Sequence, residues 1–236
     1  MFSGTPVMSA PEVAETLQIS RRQAGVLMRS GAIAARRLPS GAWITTAEAV
    51  ERYRAHYRHG SGRQLNPATA WGVLWELSGR AASWLPRSTR SRVHRLIATA
   101  SAEEIVRAVA TRTQTHRFSS DRIASQVREG LTRTGVSAVH RLTPARSSIL
   151  NVVMGYIAED KIENHARRVE WTPDPAGKHV LFVQNLPVAY DGLWMPKAVI
   201  AADLIHSTDA GDRELAISAV DRLRTDYLRR RSRRTR

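Results

Sequence analysis

The first structural unit of the chain is set by residues 9–57, which read SAPEVAETLQISRRQAGVLMRSGAIAARRLPSGAWITTAEAVERYRAHY. The predicted elements, in order, are a helix from Ser9, a turn at 18–20, a helix over 21–30, a hairpin over 33–43 folded at Pro39-Ser40-Gly41, and a helix from Ala47. This order is that of a helix-turn-helix followed by a small wing.

Residues with capping chemistry stand at the predicted boundaries. Ser9 with Glu12, and Thr45 with Glu48, have the spacing of a capping box, in which each residue satisfies a backbone N–H near the other. Ser20 is the predicted N-cap of the second helix. The local chemistry therefore agrees with the predicted helix starts.

A glycine and a set of apolar residues complete this unit. Gly31 can adopt the left-handed conformation that ends a helix. The residues predicted to share one small core are Val13, Leu17, Ile19, Val26 and Leu27.

Polar side chains of the second helix lie off its apolar stripe, mostly in its first turn. A recognition helix reads base edges in the major groove with such residues, where Arg suits guanine and Gln suits adenine. The wing arginines suit phosphates or a narrow minor groove. The predicted DNA contacts of this unit are Ser20, Arg21, Arg22, Gln23, Arg29, Arg36, Arg37 and Ser40. The alternative is a solvated face on an ordinary three-helix domain.

The unit resembles the MerR/excisionase type of winged helix-turn-helix. The residues that carry the resemblance are Ser9–Leu17, Ser20–Gln23, Arg29–Ile33 and Trp43-Ile44. The resemblance covers about a quarter of the chain and implies DNA binding without indicating which sequence is bound.

Composition limits the possible functions of the whole chain. Its 236 residues include 33 Arg, 3 Lys and no Cys, with a net charge of +15. Disulfides, thiolate metal sites and cysteine nucleophiles are therefore excluded. We expect no signal peptide and no membrane association, since no stretch approaches the ~20 apolar residues of a span. The expected location is cytoplasmic and nucleoid-associated.

The charge is distributed unevenly along the chain. The net charge is +4 over 1–60, +8 over 61–142, −4 over 143–221 and +7 over 222–236. A basic front half favours a polyanion through counterion release, whereas an acidic segment would be repelled by it. The predicted domains are a winged helix-turn-helix at 1–60, a helical domain at 63–142, an α+β partner or regulatory domain at 143–228 and a basic disordered tail at 229–236.

Apolar periodicity gives the predicted fold class, which is mainly α with a small α+β C-terminal domain. Helical spacing predicts helices from Asn66, over 88–98, from Ser101 and from Ser119 or Ser120. Beyond 147 the pattern predicts strands around 149–157, at 169–171 and at 179–184, and helices at 159–167, from Pro196 and from Asp209.

A second resemblance covers roughly residues 65–225. The segments that carry it are Thr134–Val139, Gly155–Ile157, Val180–Val183, Ala201–Ile205 and Ser207–Glu214. Together they are similar to the back half of actinobacterial helix-turn-helix proteins related to AbiEi-type antitoxins. The resemblance implies an autorepressing, DNA-binding partner of a nucleotidyltransferase-like toxin.

No motif of the sequence indicates catalysis, and we expect neither catalytic residues, nor a metal, nor a cofactor. A nucleotidyltransferase needs a Gly-Ser turn followed by paired carboxylates for its metal ions, and no such pair is present. Asp203, Asp209 and Asp212 are better explained as a helix cap and solvated acids. The eight His are scattered, and phosphate-binding glycine loops are absent.

These observations predict a sequence-specific DNA-binding protein, specifically an autoregulating transcriptional repressor and antitoxin of a toxin–antitoxin system. In the tail, Arg229, Arg230 and Arg231 are predicted to anchor phosphates without sequence preference. The expected partners are double-stranded DNA, a cognate toxin protein and a second copy of the chain. The alternatives are an excisionase-like or architectural DNA-bending factor, and an interaction module whose front has lost DNA binding.

Overall fold

The structure, a computed structural model, describes residues 7–29, 31–57, 64–120, 127–146 and 151–234. The helices are α1 (Ala10–Leu17), α2 (Arg21–Arg29), α3 (Ala47–Tyr57), α4 (Pro67–Leu77), α5 (Arg87–Thr99), α6 (Ala102–Val109), α7 (Ile162–Arg168), α8 (Lys197–Asp203) and α9 (Ala210–Arg234). The strands are β1 (Val7–Ser9), β2 (Ala35–Arg37), β3 (Trp43–Thr46), β4 (Thr115–Ser119), β5 (Thr132–Arg133), β6 (Met154–Ile157), β7 (Thr172–Pro173) and β8 (His179–Val183).

The predicted fold class is wrong, because the chain is mixed α/β. About 52 % of it is helical and 14 % is strand, and the strands form one sheet of three and one of five. The segment 63–142, predicted to be entirely helical, supplies β4 and β5 to the larger sheet. β4 reads THRFS, and only Phe118 in it is buried, so the strand lacks the apolar alternation by which strands are recognised. Its pairing with β7 and β8 decides its conformation.

The N-terminal unit contains the predicted elements in the predicted order, namely α1, a turn, α2 and the hairpin β2–β3. The strand β1 pairs with β3 and completes a three-stranded sheet of order β1-β3-β2. The Glu12 carboxylate accepts hydrogen bonds from the Ser9 backbone N–H and hydroxyl, both at 2.6 Å. The predicted cap of α3 is displaced by one residue. Thr46 Oγ1 accepts from Ala49 N–H at 3.2 Å, whereas the Thr45 hydroxyl is buried and donates to the Ala34 carbonyl.

Val26 is not part of the core of this unit, contrary to the prediction. It is 42 % exposed on α2, while Leu27 and Met28 are buried beside Val13 and Ile33. The first-turn arginines occupy the polar side of the helix, and Val26 lies with them rather than with the core. An apolar residue therefore remains on the open face of α2.

The five-stranded sheet has the order β5-β6-β8-β4-β7, with β6 parallel to β8 and the other pairs antiparallel. All of β8 is buried, and its side chains alternate between two cores. Val180 and Phe182 belong to the main core with helices α4–α6, α8 and α9, whereas Leu181 and Val183 belong to a second core that includes Ile162 of α7. The sheet is thus covered on both faces, which explains the unbroken apolar run of β8.

Two predicted elements near the sheet differ from the structure. Residues 169–171 do not form a strand; Val169 and Trp171 are buried against the second core after the end of α7. The helix predicted from Ser119 or Ser120 lies partly outside the described residues, and 127–130 form a turn. The five-stranded sheet takes strands from both sides of residue 143, so the change in charge there does not coincide with a change of sheet.

The C-terminal helix α9 continues through most of the tail that was predicted to be disordered. Asp209 Oδ1 accepts from the backbone N–H groups of Gly211 and Asp212, as its predicted role as a cap requires. The helix then runs to Arg234, because Tyr227 and Leu228 pack on the main core and arginine propagates helices well. No helix in the described parts of the chain, α9 included, combines the length and apolar character that crossing a membrane requires.

Candidate nucleic-acid interface

The first turn of α2 is open to solvent. Ser20 Oγ accepts a hydrogen bond from Gln23 N–H at 3.2 Å and so caps the helix, as predicted. Arg21, Arg22 and Gln23 are all exposed, whereas Ala24 on the opposite side is fully buried. The helix therefore presents three long hydrogen-bonding side chains at its N-terminal end from a fixed backbone.

One face of α2 continues this surface along its length. Arg22, Val26 and Arg29 are spaced i, i+4 and i+7, which places them on one side of a helix. All three are exposed. Arg29 and Ser20 thus lie at the two ends of a helix whose outer side is not covered by the rest of the protein.

The wing is the hairpin β2–β3. Its turn is closed by a hydrogen bond from Gly41 N–H to the Leu38 carbonyl at 2.8 Å, and Ser40 is exposed at the tip. Arg37 lies opposite Trp43 in the register and is exposed. Arg36 points to the other face of the strand and is half-buried, so Arg37 is the more accessible of the two wing arginines.

A groove of about 590 Å³ lies between the wing and the body of the protein. Both wing arginines line it, and the opposite wall is α7, which carries Glu159 just before it and Glu163 within it. The lining also includes Arg117, Arg167 and Asp174, so its positive and negative charges nearly balance and a phosphate would gain little inside the groove. A nucleic acid would meet the wing at its outer rim, where Ser40 and Arg37 are exposed.

A second groove, of about 1080 Å³, runs beside α2 and connects it with the arginine-rich helix α5. Val26 lines one wall, and Arg92 and Arg95 line the other. Both arginines are exposed. The sequence predicted this helix over 88–98 but contained no signal that it lies beside α2.

The tail arginines are not brought to α2. Arg230 Nη2 donates to the Leu77 carbonyl at 3.4 Å, and Arg231 Nη1 lies 2.8 Å from His94 Nδ1. Arg229 lies 3.9 Å from Asp226 on its own helix. The tail thus packs along α4 and α5, and its predicted role as a phosphate anchor stays a prediction.

A buried polar cluster in the main core contains Asp203, one of the acids for which the sequence favoured a helix cap or a solvated position. Asp203 contacts Arg112, accepts from the Thr134 hydroxyl at 2.6 Å and lies 3.3 Å from the Tyr156 hydroxyl. No member of this cluster is more than 1 % exposed. Burial raises the pKa of Asp203, and the contact with Arg112 opposes that rise. Because the cluster is closed to solvent, its chemistry supports packing rather than access for a substrate.

Asp212 is the second internal acid. It is 1 % exposed, contacts Arg146 and accepts from the Ser207 hydroxyl at 2.7 Å. Sequence analysis missed the buried Arg112–Asp203 pair and the partly exposed Arg146–Asp212 pair because their members lie 91 and 66 residues apart along the chain.

The arrangement as a whole is an exposed helix start, an exposed wing tip and a basic groove wall, all facing solvent. No protein-family model matches the chain, and neither a curated protein nor a solved structure matches it. The excisionase-like and AbiEi-like resemblances therefore rest on the residues quoted for them above.

Proposed function

We propose that the chain is a sequence-specific DNA-binding protein whose helix α2 enters the major groove of double-stranded DNA. The observation that carries the proposal is the exposure of Arg21, Arg22 and Gln23 at the capped start of a helix whose other side is core. Arg can bind guanine O6 and N7 through two hydrogen bonds, and Gln can bind adenine N6 and N7 in the same way. These three side chains would determine which DNA sequence the protein binds.

Phosphate contacts would come from arginines around α2. Arg29 lies at the end of the helix, and Arg37 lies on the wing. Arg92 and Arg95 face the groove beside Val26 and would hold the backbone of the strand that flanks the recognition helix. A net charge of +15 favours such contacts, because each neutralised phosphate releases condensed counterions.

Two biological roles fit this activity. An autoregulating repressor and antitoxin would bind its own operator through α2 and hold a cognate toxin through its acidic segment 143–221. An excisionase-like architectural factor would bend its site. Measuring the bend angle by gel mobility of circularly permuted sites separates them, since a bend of tens of degrees supports the architectural role. Co-purification with a nucleotidyltransferase-like protein encoded nearby supports the antitoxin.

The base-reading role is tested with the triple variant R21A/R22A/Q23A. A site is first selected from random duplexes with the intact protein, and the ratio of specific to non-specific affinity is then measured at fixed salt. Each bidentate base contact provides about 1–3 kcal/mol of discrimination, so the triple variant should lose at least about tenfold of this ratio.

The control removes the same amount of positive charge elsewhere. Arg141 and Arg222 are exposed and line neither groove, so R141A/R222A should keep the wild-type specificity ratio. An unchanged ratio in R21A/R22A/Q23A, or an equal loss in the control, would reject base reading by α2.

The groove contacts are tested separately through the salt dependence of binding. Each lost phosphate contact flattens the slope of log K against log salt by about 0.9, so R92A/R95A should flatten it by about 1.8. The affinity that wild type loses between 50 and 200 mM salt would then shrink by about twelvefold in the variant. Its specificity ratio should remain that of the wild type, since phosphates carry no sequence information.

A further inference from the structure

A separate cavity of about 430 Å³ lies between the C-terminal end of α4, the helix α5 and the last turns of α9. It is distinct from the two grooves near α2, with which it shares no lining residue. Four arginines line it: Arg80, Arg90, Arg230 and Arg231. Three different parts of the chain thus converge on one concave space with positive charge.

The acidic group that lines this cavity already has partners within the protein. Glu76 is the carboxylate among its lining residues. Its Oε1 accepts from Ala82 N–H at 3.1 Å, and its Oε2 lies 3.6 Å from His94 Nε2. Within the described residues, Arg80 and Arg90 have no carboxylate oxygen within 4 Å. Positive charge therefore exceeds negative charge inside the cavity.

The arginines are held by their surroundings. The Arg80 guanidinium lies over the rings of Trp75 and Tyr190, with 5.6 and 5.4 Å to the ring centres. Stacking on ring faces leaves the edge of the guanidinium, which carries its N–H donors, open for an anion. Arg230 is held by the Leu77 carbonyl. The donors are thus partly preorganised before any ligand binds.

A buried tyrosine supplies a further donor. Tyr227 lines the cavity and is only 6 % exposed; Arg231 lies close enough to donate to its hydroxyl oxygen, but no acceptor for its O–H is found among the described residues. A buried O–H donor without an acceptor costs free energy, and a ligand oxygen in the cavity would accept its hydrogen bond. Burial raises the pKa of Tyr227, which keeps the hydroxyl protonated and able to donate.

We propose that this cavity binds a small phosphorylated ligand, whose phosphoryl oxygens are held by Arg80, Arg90, Arg230 and Tyr227. Arginines that approach from several directions suit a tetrahedral group with three or more acceptor oxygens better than they suit a planar carboxylate. The volume exceeds that of one phosphate and accommodates a diphosphate or the phosphorylated end of a larger metabolite. The proposal is independent of DNA binding by α2.

The test uses the full chain and inorganic pyrophosphate, with binding measured by calorimetry at 0.1 M salt. Wild type should bind with saturable one-to-one stoichiometry. Replacing two arginines, in R90Q/R230Q, should weaken binding at least about tenfold, because each charge-assisted hydrogen bond is strong. The variant Y227F removes only the hydroxyl and should weaken binding about three- to tenfold. The control R141Q/R222Q loses the same charge outside the cavity and should bind within about twofold of wild type.

Three results would overturn the proposal. One is the absence of saturable pyrophosphate binding by wild type up to millimolar concentration. Another is an equal loss in R141Q/R222Q, which would indicate general attraction to a basic protein. The third is competition between a short DNA duplex and pyrophosphate, together with a loss of DNA affinity in R90Q/R230Q as large as its loss of pyrophosphate affinity. That result would make the cavity part of the DNA-binding surface. If R90Q/R230Q unfolds, Y227F alone decides, since it leaves every charge in place.

Discussion

Gly31 offers a test of how the N-terminal unit is joined to the rest of the protein. It follows α2, has φ +73°, and its carbonyl accepts a hydrogen bond from the Thr115 hydroxyl of β4 at 2.9 Å. A Cβ at this position would lie 1.8 Å from Thr115 Oγ1 and 2.8 Å from Thr115 N. The side chain of Thr115 could rotate away, but its backbone nitrogen could not, so G31A must move β4 and the end of α2 apart.

The cost can be divided into parts. Left-handed backbone costs a non-glycine residue roughly 1 kcal/mol. Loss of the Thr115 hydrogen bond adds about 1 kcal/mol, and displacement of the backbone adds about the same again. We expect G31A to lower the free energy of unfolding by about 3 kcal/mol, or by roughly 6–12 °C in Tm for a chain of this size.

Gly130 provides a matched control. It has φ +75°, almost the same conformation, but a Cβ there would meet no atom within 4 Å. G130A should therefore cost only the backbone strain of roughly 1 kcal/mol. The difference of about 2 kcal/mol between the two variants isolates the crowding against Thr115.

Urea unfolding followed by circular dichroism gives both values. The double variant G31A/T115A should recover part of the loss, because it removes the Oγ1 atom at 1.8 Å from the new methyl group but leaves the Cβ and the backbone nitrogen of residue 115 at 2.8 Å. If G31A is no more destabilising than G130A, α2 and β4 do not meet as described, and the position of the N-terminal unit on the five-stranded sheet is wrong.

Two further predictions concern buried polar groups in the sheet and the main core. Burial and then the neighbouring Lys178 lower the pKa of His179 to about 4, so the unfolded chain binds a proton more readily between pH 6.5 and 4. This contribution to the free energy of unfolding is fully present above pH 6.5 and is lost as the pH falls, by about 2 kcal/mol at pH 5. In urea titrations from pH 7 to 5, the free energy of unfolding of H179Q should therefore fall less than that of wild type. An equal fall would show that His179 is not the group responsible. Changing Asp203 to Asn should lower the free energy of unfolding by about 3–5 kcal/mol, because Arg112 is then buried without its counter-charge. The double variant R112M/D203L removes both charges and should be less destabilised. A double variant no more stable than D203N would show that the unpaired charge of Arg112 is not the cause of the loss.

The sequence predicted the N-terminal unit well because its signals are local. The caps at Ser9 and Ser20, the left-handed Gly31 and the turn before Gly41 each depend on residues within four positions along the chain. Such short-range chemistry acts before any tertiary packing. The same holds for the caps at Asn66, Ser101 and Asp209.

Elements decided by distant contacts were predicted less well. β4 has one buried residue and becomes a strand because β8 and β7 pair with it from more than fifty residues away. Arg112 and Asp203 appear as ordinary charged residues until packing removes both from water. Tertiary context overrides propensity at such positions. The arginine-lined groove beside α2 could not be predicted either, because it depends on tertiary packing and neither α2 nor α5 alone indicates where the other lies.

Helix α5 connects the two proposed binding regions, and this permits a last prediction. Val93 and Ile97 are buried on one side of it, while Arg92 and Arg95 line the groove beside α2 and Arg90 lines the cavity near α9. Pyrophosphate bound by Arg90 would reduce the positive potential at Arg92, which is only two residues or about 3 Å of rise away along α5 and within the ~10 Å Debye length at 0.1 M salt. We therefore expect pyrophosphate to weaken DNA binding by about two- to threefold at 0.1 M salt, with the effect fading at 0.5 M. Coupling between equilibria is reciprocal, so DNA must weaken pyrophosphate binding by the same factor. Fluorescence anisotropy of a labelled duplex measures the first factor and calorimetry the second. Weakening in Y227F as strong as in wild type at the same pyrophosphate concentration would mean that pyrophosphate competes at the DNA surface rather than acting across α5.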